Sequence, residues 1–372
     1  MPLLKTKKHP FIPSIRSILS WLNKAHSLPQ HLEDRRRNNF LLIRLAAAIL
    51  VIVAHCYRRS DPIYLLSGGL LNGTTIAMPV FFFLSGLLVS QSLDHCPSRI
   101  NYLWRRFLRL YPAAFFTVLL TSLVIGPLVT VLPIRTYFSD PLFCQYLRTT
   151  LLIKIYFWLP GVFIHSPLGR SVNSAIWSLA LEIKLYIALL LLSFIRNRNL
   201  TRFLLIFSVV VFLALGTFHG YFEPMLGKIF VRRFFLYAYS DLAIYFAAGV
   251  LTYSYRHKIV VRNYWVIGIP FIWLITRHLL LSDLFSLLLL PPMILYVAVT
   301  GTRTLSRITP SADLSYGLFL WGFPIEQLII NYISQDNLTI RFAGTLLGAL
   351  LLAFISWHFI ESPALKWKNK IR

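Results

Sequence analysis

An arginine and a histidine lie eleven residues apart in the first strongly apolar stretch of the chain, residues 40–57. Eleven helical steps of about 100° return almost to the starting direction, so Arg44 and His55 would share one helix face, about 16 Å apart. Ionisable side chains are costly in hydrocarbon, and in a membrane helix they indicate function. Arg44 can hold an anion, and His55 can transfer a proton near neutral pH. The alternative is an arginine that extends to the membrane edge and a hydrogen-bonded packing histidine.

Two further arginines, Arg106 and Arg109, lie three residues apart at the entry to a later apolar stretch. On a helix they would share a face. Guanidinium groups bind phosphate oxygens in bidentate fashion, so the pair could hold the pyrophosphate or ribose phosphate of a nucleotide-like donor. The alternative is a basic cuff at a membrane edge.

The other polar candidates lie within apolar stretches. Ser85 and Gly86 follow a run of phenylalanines, and the glycine lets its backbone approach either a neighbouring helix or a ligand closely. Glu182 shares a helix face with Tyr186, and we expect its carboxylate to pair with an arginine or histidine of another helix. The stretch from Ser315 to Glu326 contains a proline, which predicts a broken helix that lines a cavity or packs on protein.

Composition places the chain among membrane proteins. Of its 372 residues, 57% are hydrophobic and 13% are charged, whereas soluble domains carry about 25% charged residues. The net charge of +24 sits mainly in short loops beside apolar stretches, which is typical of cytoplasmic loops, so no nucleic-acid partner is expected. Cys56, Cys96 and Cys144 have neither metal-site spacing nor a disulfide framework, and no metal is expected.

The apolar pattern predicts an all-α integral membrane protein with about ten transmembrane helices, each long enough for roughly 30 Å of hydrocarbon. Residues 1–39 are predicted to form a basic cytoplasmic tail, residues 40–362 the transmembrane domain, and residues 363–372 a second short basic tail. The predicted spans lie near residues 40–57, 74–90, 110–131, 172–195, 203–218, 234–253, 263–280, 284–300, 314–333 and 341–360.

One more apolar stretch, residues 151–164, is short and ends in Leu-Pro-Gly. With the basic N-terminal tail inside, the later basic clusters fall on the cytoplasmic side only if this stretch does not cross the membrane. We therefore expect it to be re-entrant or interfacial, with both termini cytoplasmic. The basic loop 220–233 would then lie outside, and it alone does not fit the pattern.

In their order along the chain, these motifs resemble those of the membrane acyltransferase-3 family of bacterial sugar O-acyltransferases. The resemblance extends from about Asn38 to Pro363. The matching elements are an arginine and a histidine separated by ten residues (Arg44, His55), Ser-Gly (Ser85, Gly86), Arg-x-x-Arg (Arg106, Arg109), Trp-Ser-Leu-x-x-Glu-x-x-x-Tyr (Trp177, Glu182, Tyr186), a late Ser-Tyr and Leu-Trp element (Ser315, Tyr316, Leu320, Trp321) and Glu-x-Pro (Glu361, Pro363).

The chain departs from the family pattern at two positions. Gly322 stands where many members have histidine, so no second catalytic histidine is expected there, and Phe319 replaces a frequent tyrosine. No periplasmic hydrolase-like domain is expected after the last apolar stretch. A partner step, if one is needed, is expected from another protein of envelope biosynthesis.

The resemblance implies a multi-pass enzyme of the bacterial inner membrane. It implies an acyl-CoA donor, most often acetyl-CoA, and an acceptor hydroxyl on a cell-surface sugar, polysaccharide or glycolipid. We expect His55 to act as general base, Arg44 to hold the donor, and Glu182 to orient one of those two residues. The remaining expected contacts are with the donor (Arg106, Arg109, Ser85, Gly86) and with the acceptor (Trp177, Tyr186, Tyr316, Trp321).

Two other functions share some of these features. A secondary transporter would also have about ten spans and broken helices, but no repeated half is visible in the sequence. A flippase or scaffold of envelope assembly would need neither His55 nor the pair Arg106 and Arg109, so alanine substitutions there distinguish it from an enzyme.

Overall fold

The computed structural model describes residues 15–34, 38–57, 60–66, 72–217, 237–276, 282–300, 312–334 and 336–370. Within these ranges the chain is mainly helical, and its strands are two segments of three residues each. The predicted all-α class therefore agrees with the structure. The basic loop 220–233, which did not fit the charge pattern, lies outside the described residues.

The helices follow one another with short turns between most of them. They are α1 (Ile15–Leu22), α2 (Leu28–Glu33), α3 (Phe40–Tyr57), α4 (Pro62–Leu66), α5 (Gly73–His95), α6 (Arg99–Leu120), α7 (Gly126–Val129), α8 (Ile134–Ser139), α9 (Pro141–Leu147), α10 (Trp177–Leu192), α11 (Arg198–Thr217), α12 (Tyr237–Ser254), α13 (Trp265–Thr276), α14 (Ser282–Val299), α15 (Ser315–Tyr332), α16 (Leu338–Ser356) and α17 (Ser362–Lys366). Two π-helical turns, Thr121–Ile125 and Trp357–Glu361, join α6 to α7 and α16 to α17.

Four helical segments among the described residues are long and apolar enough to cross a membrane. They are Phe40–Tyr57, Gly73–His95, Arg99–Val129 and Leu338–Lys366. Each of the ten predicted spans overlaps a described helix, and four of the ten coincide with these segments. The membrane class is thus supported, while ten crossings and cytoplasmic termini stay predictions.

Helix α6 begins earlier than the sequence pattern predicts. The span was expected from residue 110, whereas the helix begins at Arg99, because the hydroxyl of Ser98 caps it by accepting from the backbone N–H of Asn101 at 3.1 Å. Arg106 and Arg109 therefore lie inside a helix, where their spacing of three residues places them on one face.

No helix occurs between Leu151 and Trp177, so the structure agrees with the prediction that residues 151–164 are not a crossing helix. The predicted span 172–195 correspondingly begins later, at Trp177. The irregular segment is fixed to α15 by the buried amide of Gln327, which donates to the carbonyls of Gly169 at 2.9 Å and Ser171 at 2.7 Å. These bonds satisfy backbone groups that no helix or strand satisfies.

The chain divides into two compact units, Met1–Asn39 with Tyr255–Ser306 and Phe40–Ser254 with Arg307–Arg372. In the first unit, β1 (Ala25–Ser27) pairs antiparallel with β2 (Val260–Arg262). The side chain of Asn263 donates to the carbonyl of Trp21 at 2.9 Å. The predicted tail 1–39 thus contains two helices and a strand that pack with residues from 255 onward.

In the second unit, α5 and α12 cross at two glycines. A Cβ on Gly86 would lie 2.0 Å from the carbonyl oxygen of Phe246, and one on Gly249 would lie 2.2 Å from that of Phe83. Only glycine permits such a close approach of two backbones. Of the two roles considered for Gly86, the geometry supports helix packing.

Helix α15 forms the centre of the second unit. Nearly all of its residues from Ser315 to Ile330 are buried, and a helix that is buried on every side packs against several neighbours at once. It contacts α3, α6 and α16. This central position brings α15 to both groups of ion pairs described below.

Candidate active site

Helices α3 and α15 pack together, and at each end of their contact a basic side chain of α3 faces a carboxylate. A guanidinium nitrogen of Arg44 lies 3.4 Å from a carboxylate oxygen of Asp313, just before α15. Eleven residues later on α3, Nδ1 of His55 lies 4.0 Å from a carboxylate oxygen of Glu326 on α15. Arg44 and His55 both face α15, so they share a helix face, as their spacing predicts.

A small, partly open pocket lies between α3 and α15, at the end that carries His55. Its polar lining residues are His55 and Glu326, and the rest of the wall is apolar. A Cβ on Gly322 would lie 3.1 Å from Cγ1 of Ile52, so the absence of a side chain there leaves room in the pocket. The lining residues are Ala48, Val51, Ile52, His55, Ala175, Leu318, Phe319, Gly322, Phe323 and Glu326.

At the His55 end, a buried arginine joins the pair. Glu326 and Arg341 are both almost fully buried, and they form an ion pair in which Nε of Arg341 donates to Oε1 of Glu326 at 3.1 Å. Arg341 also donates to the backbone carbonyl of His55 at 3.0 Å. The ring of Phe323 meets the imidazole of His55 edge to face, with centroids 5.5 Å apart.

At the other end, Asp313 binds two arginines from different helices. Arg109 of α6 and Arg44 of α3 both form ion pairs with the same oxygen, Oδ2, while Ser315 donates to Oδ1 at 2.5 Å. Burial alone would raise the pKa of Asp313, but the guanidinium groups of Arg109 and Arg44 outweigh it and hold that pKa well below its usual range. Asp313 is therefore a carboxylate at neutral pH.

Arg109 has a second acidic neighbour, Glu361. The π-helical turn that ends α16 points Glu361 into the protein, 3.9 Å from Arg109. Ser356 donates to its other oxygen at 3.0 Å. Tyr316 lies under the same guanidinium, 5.6 Å away, and its hydroxyl donates to the carbonyl of Leu110 at 2.7 Å. Arg109 and Tyr316 thus belong to one buried charged network.

A third group of predicted residues lies between α5 and α10. The hydroxyl of Ser85 donates to Oε1 of Glu182 at 2.7 Å, and the hydroxyl of Tyr186 donates to the same oxygen. The carboxylate partner of His55 is Glu326, and that of Arg44 is Asp313. Glu182 was expected to pair with a basic side chain and instead binds two hydroxyl groups.

Arg106 lies beside this cluster of Ser85, Glu182 and Tyr186. Its terminal nitrogen donates to the hydroxyl of Ser92 at 3.2 Å, and its guanidinium carbon lies 5.9 Å from the ring centre of Tyr186. Its Nε is buried and has no hydrogen-bond partner among the described residues. The two arginines predicted to act together thus differ in their contacts, because Arg109 faces two carboxylates and Arg106 has a donor without a partner among the described residues.

The two predicted tryptophans lie outside these three groups. Trp321 is fully buried, with its ring against Phe116 at 6.2 Å, and it does not line the pocket. Trp177 is the first residue of α10 and is half-buried. In the described part of the chain, no group of three or more His, Cys, Asp or Glu is arranged to hold a metal ion.

Three charged residues of the site escaped the sequence analysis: Asp313, Glu326 and Arg341. A signal for two of them was present, since Glu326 and Arg341 are ionisable residues inside strongly apolar stretches, which usually indicates function. Asp313 directly precedes a predicted span, where an acidic residue attracts no attention. Which partner each charge meets depends on helix packing that the spacing along one chain does not contain.

The comparisons with known proteins agree over most of the chain. The acyltransferase-3 family model, described as an acyltransferase domain, matches residues 38–358. Nodulation protein 10 of Rhizobium leguminosarum bv. viciae is 26% identical, over 90% of this chain and 95% of that protein. An O-acetyl transferase of Shigella phage Sf6 is 25% identical, over 88% of this chain and 95% of that protein. No solved structure matches the chain.

The family match includes both ends of the α3–α15 contact, Arg44 with Asp313 and His55 with Glu326. It also includes Ser85, Glu182 and the arginines of α6. The residues that form the three charged and polar groups thus lie within one matched domain, apart from Glu361, which follows it. On this evidence the chain belongs to the acyltransferase-3 family and is a membrane O-acyltransferase.

Proposed function

We propose that the protein transfers an acyl group, most often acetyl, from acyl-CoA to a hydroxyl of a cell-surface sugar, polysaccharide or glycolipid. The observation that carries this proposal is the pocket between α3 and α15, which has an imidazole at one end of an apolar wall. A relative described as an O-acetyl transferase supports the acetyl group. The enzyme is proposed to act in the bacterial inner membrane.

In this proposal His55 is the general base. It accepts the proton of the acceptor hydroxyl while the oxygen attacks the thioester carbonyl carbon, a new C–O bond forms and the C–S bond breaks. The thiolate of CoA then leaves and takes the proton from the imidazole. A positioned general base contributes about 10²- to 10⁴-fold in rate. The apolar wall of the pocket limits water, which would otherwise hydrolyse the thioester.

Arg106 fits the phosphate end of the donor best. A buried guanidinium nitrogen without a hydrogen-bond partner is costly, and a phosphate oxygen would satisfy it. Arg109 and Arg44 already neutralise Asp313, and Arg109 also faces Glu361. We therefore assign CoA binding to Arg106. Arg44 and Arg109 are proposed to hold the Asp313 end of the α3–α15 contact together.

One face of α5 connects Arg106 with the pocket. Ser92, the partner of Arg106, lies two helical turns from Ser85, and Phe81 lies one turn further in the same direction. The ring of Phe81 contacts that of Phe319, which lines the pocket, with centroids 5.6 Å apart. The extended chain of the acyl-CoA donor is proposed to follow this face, past the cluster of Ser85, Glu182 and Tyr186.

The test is acyl transfer by membranes that contain the protein, supplied with radiolabelled acetyl-CoA and envelope glycans of a host strain. The proposal predicts label in a glycan or glycolipid fraction, released by mild base because the product is an ester. Membranes that lack the protein serve as the control. Equal label with and without the protein, across hosts with different surface sugars, would contradict the proposal and favour a transporter or flippase.

A further inference from the structure

We propose that Glu326 and Arg341 form a positioning pair for His55, an inference that rests on the proposed role of His55 as general base. Glu326 faces the imidazole, and Arg341 holds both Glu326 and the backbone of His55. The pair performs the orienting task that the sequence analysis expected of Glu182.

The two oxygens of the Glu326 carboxylate have different neighbours. Oε1 accepts two hydrogen bonds from Arg341, one from Nε and one from a terminal nitrogen. Oε2 is the oxygen that lies 4.0 Å from Nδ1 of His55. Because both bonds converge on Oε1, that oxygen is held at Arg341 and Oε2 is left on the side of the imidazole.

Arg341 also binds the end of the helix that carries the base. The carbonyl of His55 lies in the last turn of α3 that the structure describes, which extends to Tyr57. Arg341 donates to that carbonyl at 3.0 Å. The same guanidinium therefore fixes the backbone of His55 and the carboxylate that faces its side chain.

The positioning of His55 requires both Glu326 and Arg341, because each compensates the buried charge of the other. A buried carboxylate without a partner is costly, and Arg341 compensates the charge of Glu326 at a site where each is almost fully buried. A carboxylate close to an imidazole stabilises the positive charge that forms when the ring accepts a proton. The imidazole of His55 and the carboxylate of Glu326 are 4.0 Å apart, which is too long for a hydrogen bond. Such distances between catalytic groups commonly shorten when substrate binds.

The first test separates positioning from folding by kinetics. Glu326→Gln keeps the shape of the side chain and removes its charge. We expect kcat to fall by about 10- to 100-fold, the loss typical of removing a carboxylate that orients a metal-bound histidine, with the KM for acetyl-CoA unchanged. Glu326→Asp is expected to recover part of the loss. Unchanged kcat in Glu326→Gln would overturn the proposal.

The second test exchanges the two charges in the double variant Glu326→Arg with Arg341→Glu. A pair that serves only stability would be restored by the exchange, together with kcat. The positioning role predicts that kcat stays low, since a guanidinium then faces the imidazole. Recovery of kcat to near the wild-type value would contradict the proposal. If the exchanged protein does not accumulate, the kinetics of Glu326→Gln and Glu326→Asp decide.

A third measurement does not depend on transfer activity, so it distinguishes a failure of this inference from a failure of the proposed function. Diethylpyrocarbonate modifies neutral imidazole, and mass spectrometry follows the modification of His55 between pH 6 and pH 7. Glu326 and Arg341 are the charged groups of α15 and α16 that face it. We expect faster modification in Glu326→Gln than in wild type. Equal rates would contradict the proposal.

Discussion

Arg109 of α6 forms its ion pair with Asp313, the residue that lies two positions before the first residue of α15. Arg44 reaches the same carboxylate oxygen from α3. Three helices are thereby joined at one end by a single acidic side chain, while the pocket and His55 lie at the other end of α3. In the proposed function, the Asp313 end of the α3–α15 contact stabilises the fold, and the His55 end performs the reaction.

Substitution of Asp313 tests the structural end. Asp313→Asn leaves two guanidinium groups without their carboxylate, and we expect a loss of about 3 kcal/mol of stability, typical of breaking a buried pair. Thermal unfolding in detergent measures it. Asp336→Asn, at an exposed position, is the matched control. Equal unfolding temperatures for the two variants would contradict the assignment.

The same variant tests how the stability contributed by Asp313 depends on pH. The pKa of Asp313 is held well below its usual range in the folded protein, so its contribution to stability is complete above about pH 4 and declines as the pH falls towards the folded-state pKa. The stability difference between wild type and Asp313→Asn should therefore shrink as the pH falls below about 4. A difference that grows on acidification would refute this account.

Arg106 and Arg109 are expected to behave differently, although they resemble each other in sequence. Arg106→Ala should raise the KM for acetyl-CoA by about 10- to 100-fold, the value of one or two charged hydrogen bonds, with little change in the amount of folded protein. Arg105, whose Nε donates to Asn101 one turn earlier in its own helix, provides the control Arg105→Ala. An unchanged KM in Arg106→Ala would exclude the donor contact.

The pocket is expected to be sensitive to added volume at Gly322. Gly322→Val introduces atoms near Ile52 inside the pocket, and we expect transfer to fall at least about 10-fold because small misplacements at a reacting centre are costly. Gly344→Val is the matched control, since a Cβ there lies at a similar distance, 3.0 Å, from Ile329 outside the pocket. Equal losses in both variants would mean that crowding of helices, rather than of the pocket, is responsible.

Gly86 provides a test of packing against ligand binding. Gly86→Ala forces the backbones of α5 and α12 apart at Phe246, and overpacking of this kind typically costs about 1–3 kcal/mol. We expect less folded protein, with unchanged kcat and KM in the fraction that folds. A raised KM for acetyl-CoA at normal protein levels would instead support the ligand contact considered from the sequence.

Local periodicity predicted those parts of the site that depend on one helix. The shared face of Arg44 and His55 follows from 3.6 residues per turn, and so does that of Glu182 and Tyr186. Helix α3 covers the predicted span, residues 40–57. Helix α6 begins before the predicted apolar span, because a polar and basic first part of the helix extends from the Ser98 cap.

Partnerships between helices could not be predicted in the same way. Glu182 was expected to meet a basic residue, because a buried carboxylate needs a partner, but two hydroxyl groups satisfy it. The acidic partners of Arg44 and His55 come from residues some 270 positions away in the chain. Spacing along the sequence contains no information about which helix faces which, so these contacts required the fold.

The most direct measurement of the central claim compares labelled acetyl transfer per mole of folded protein in His55→Ala and in His358→Ala. His358 is an exposed histidine of the same compact unit, and its ring contacts the side chain and the carbonyl of Phe354 one turn earlier. The account predicts a loss of at least about 100-fold for His55→Ala, the contribution of a general base, and wild-type transfer for His358→Ala. Full transfer by folded His55→Ala would contradict the claim that His55 performs the chemistry.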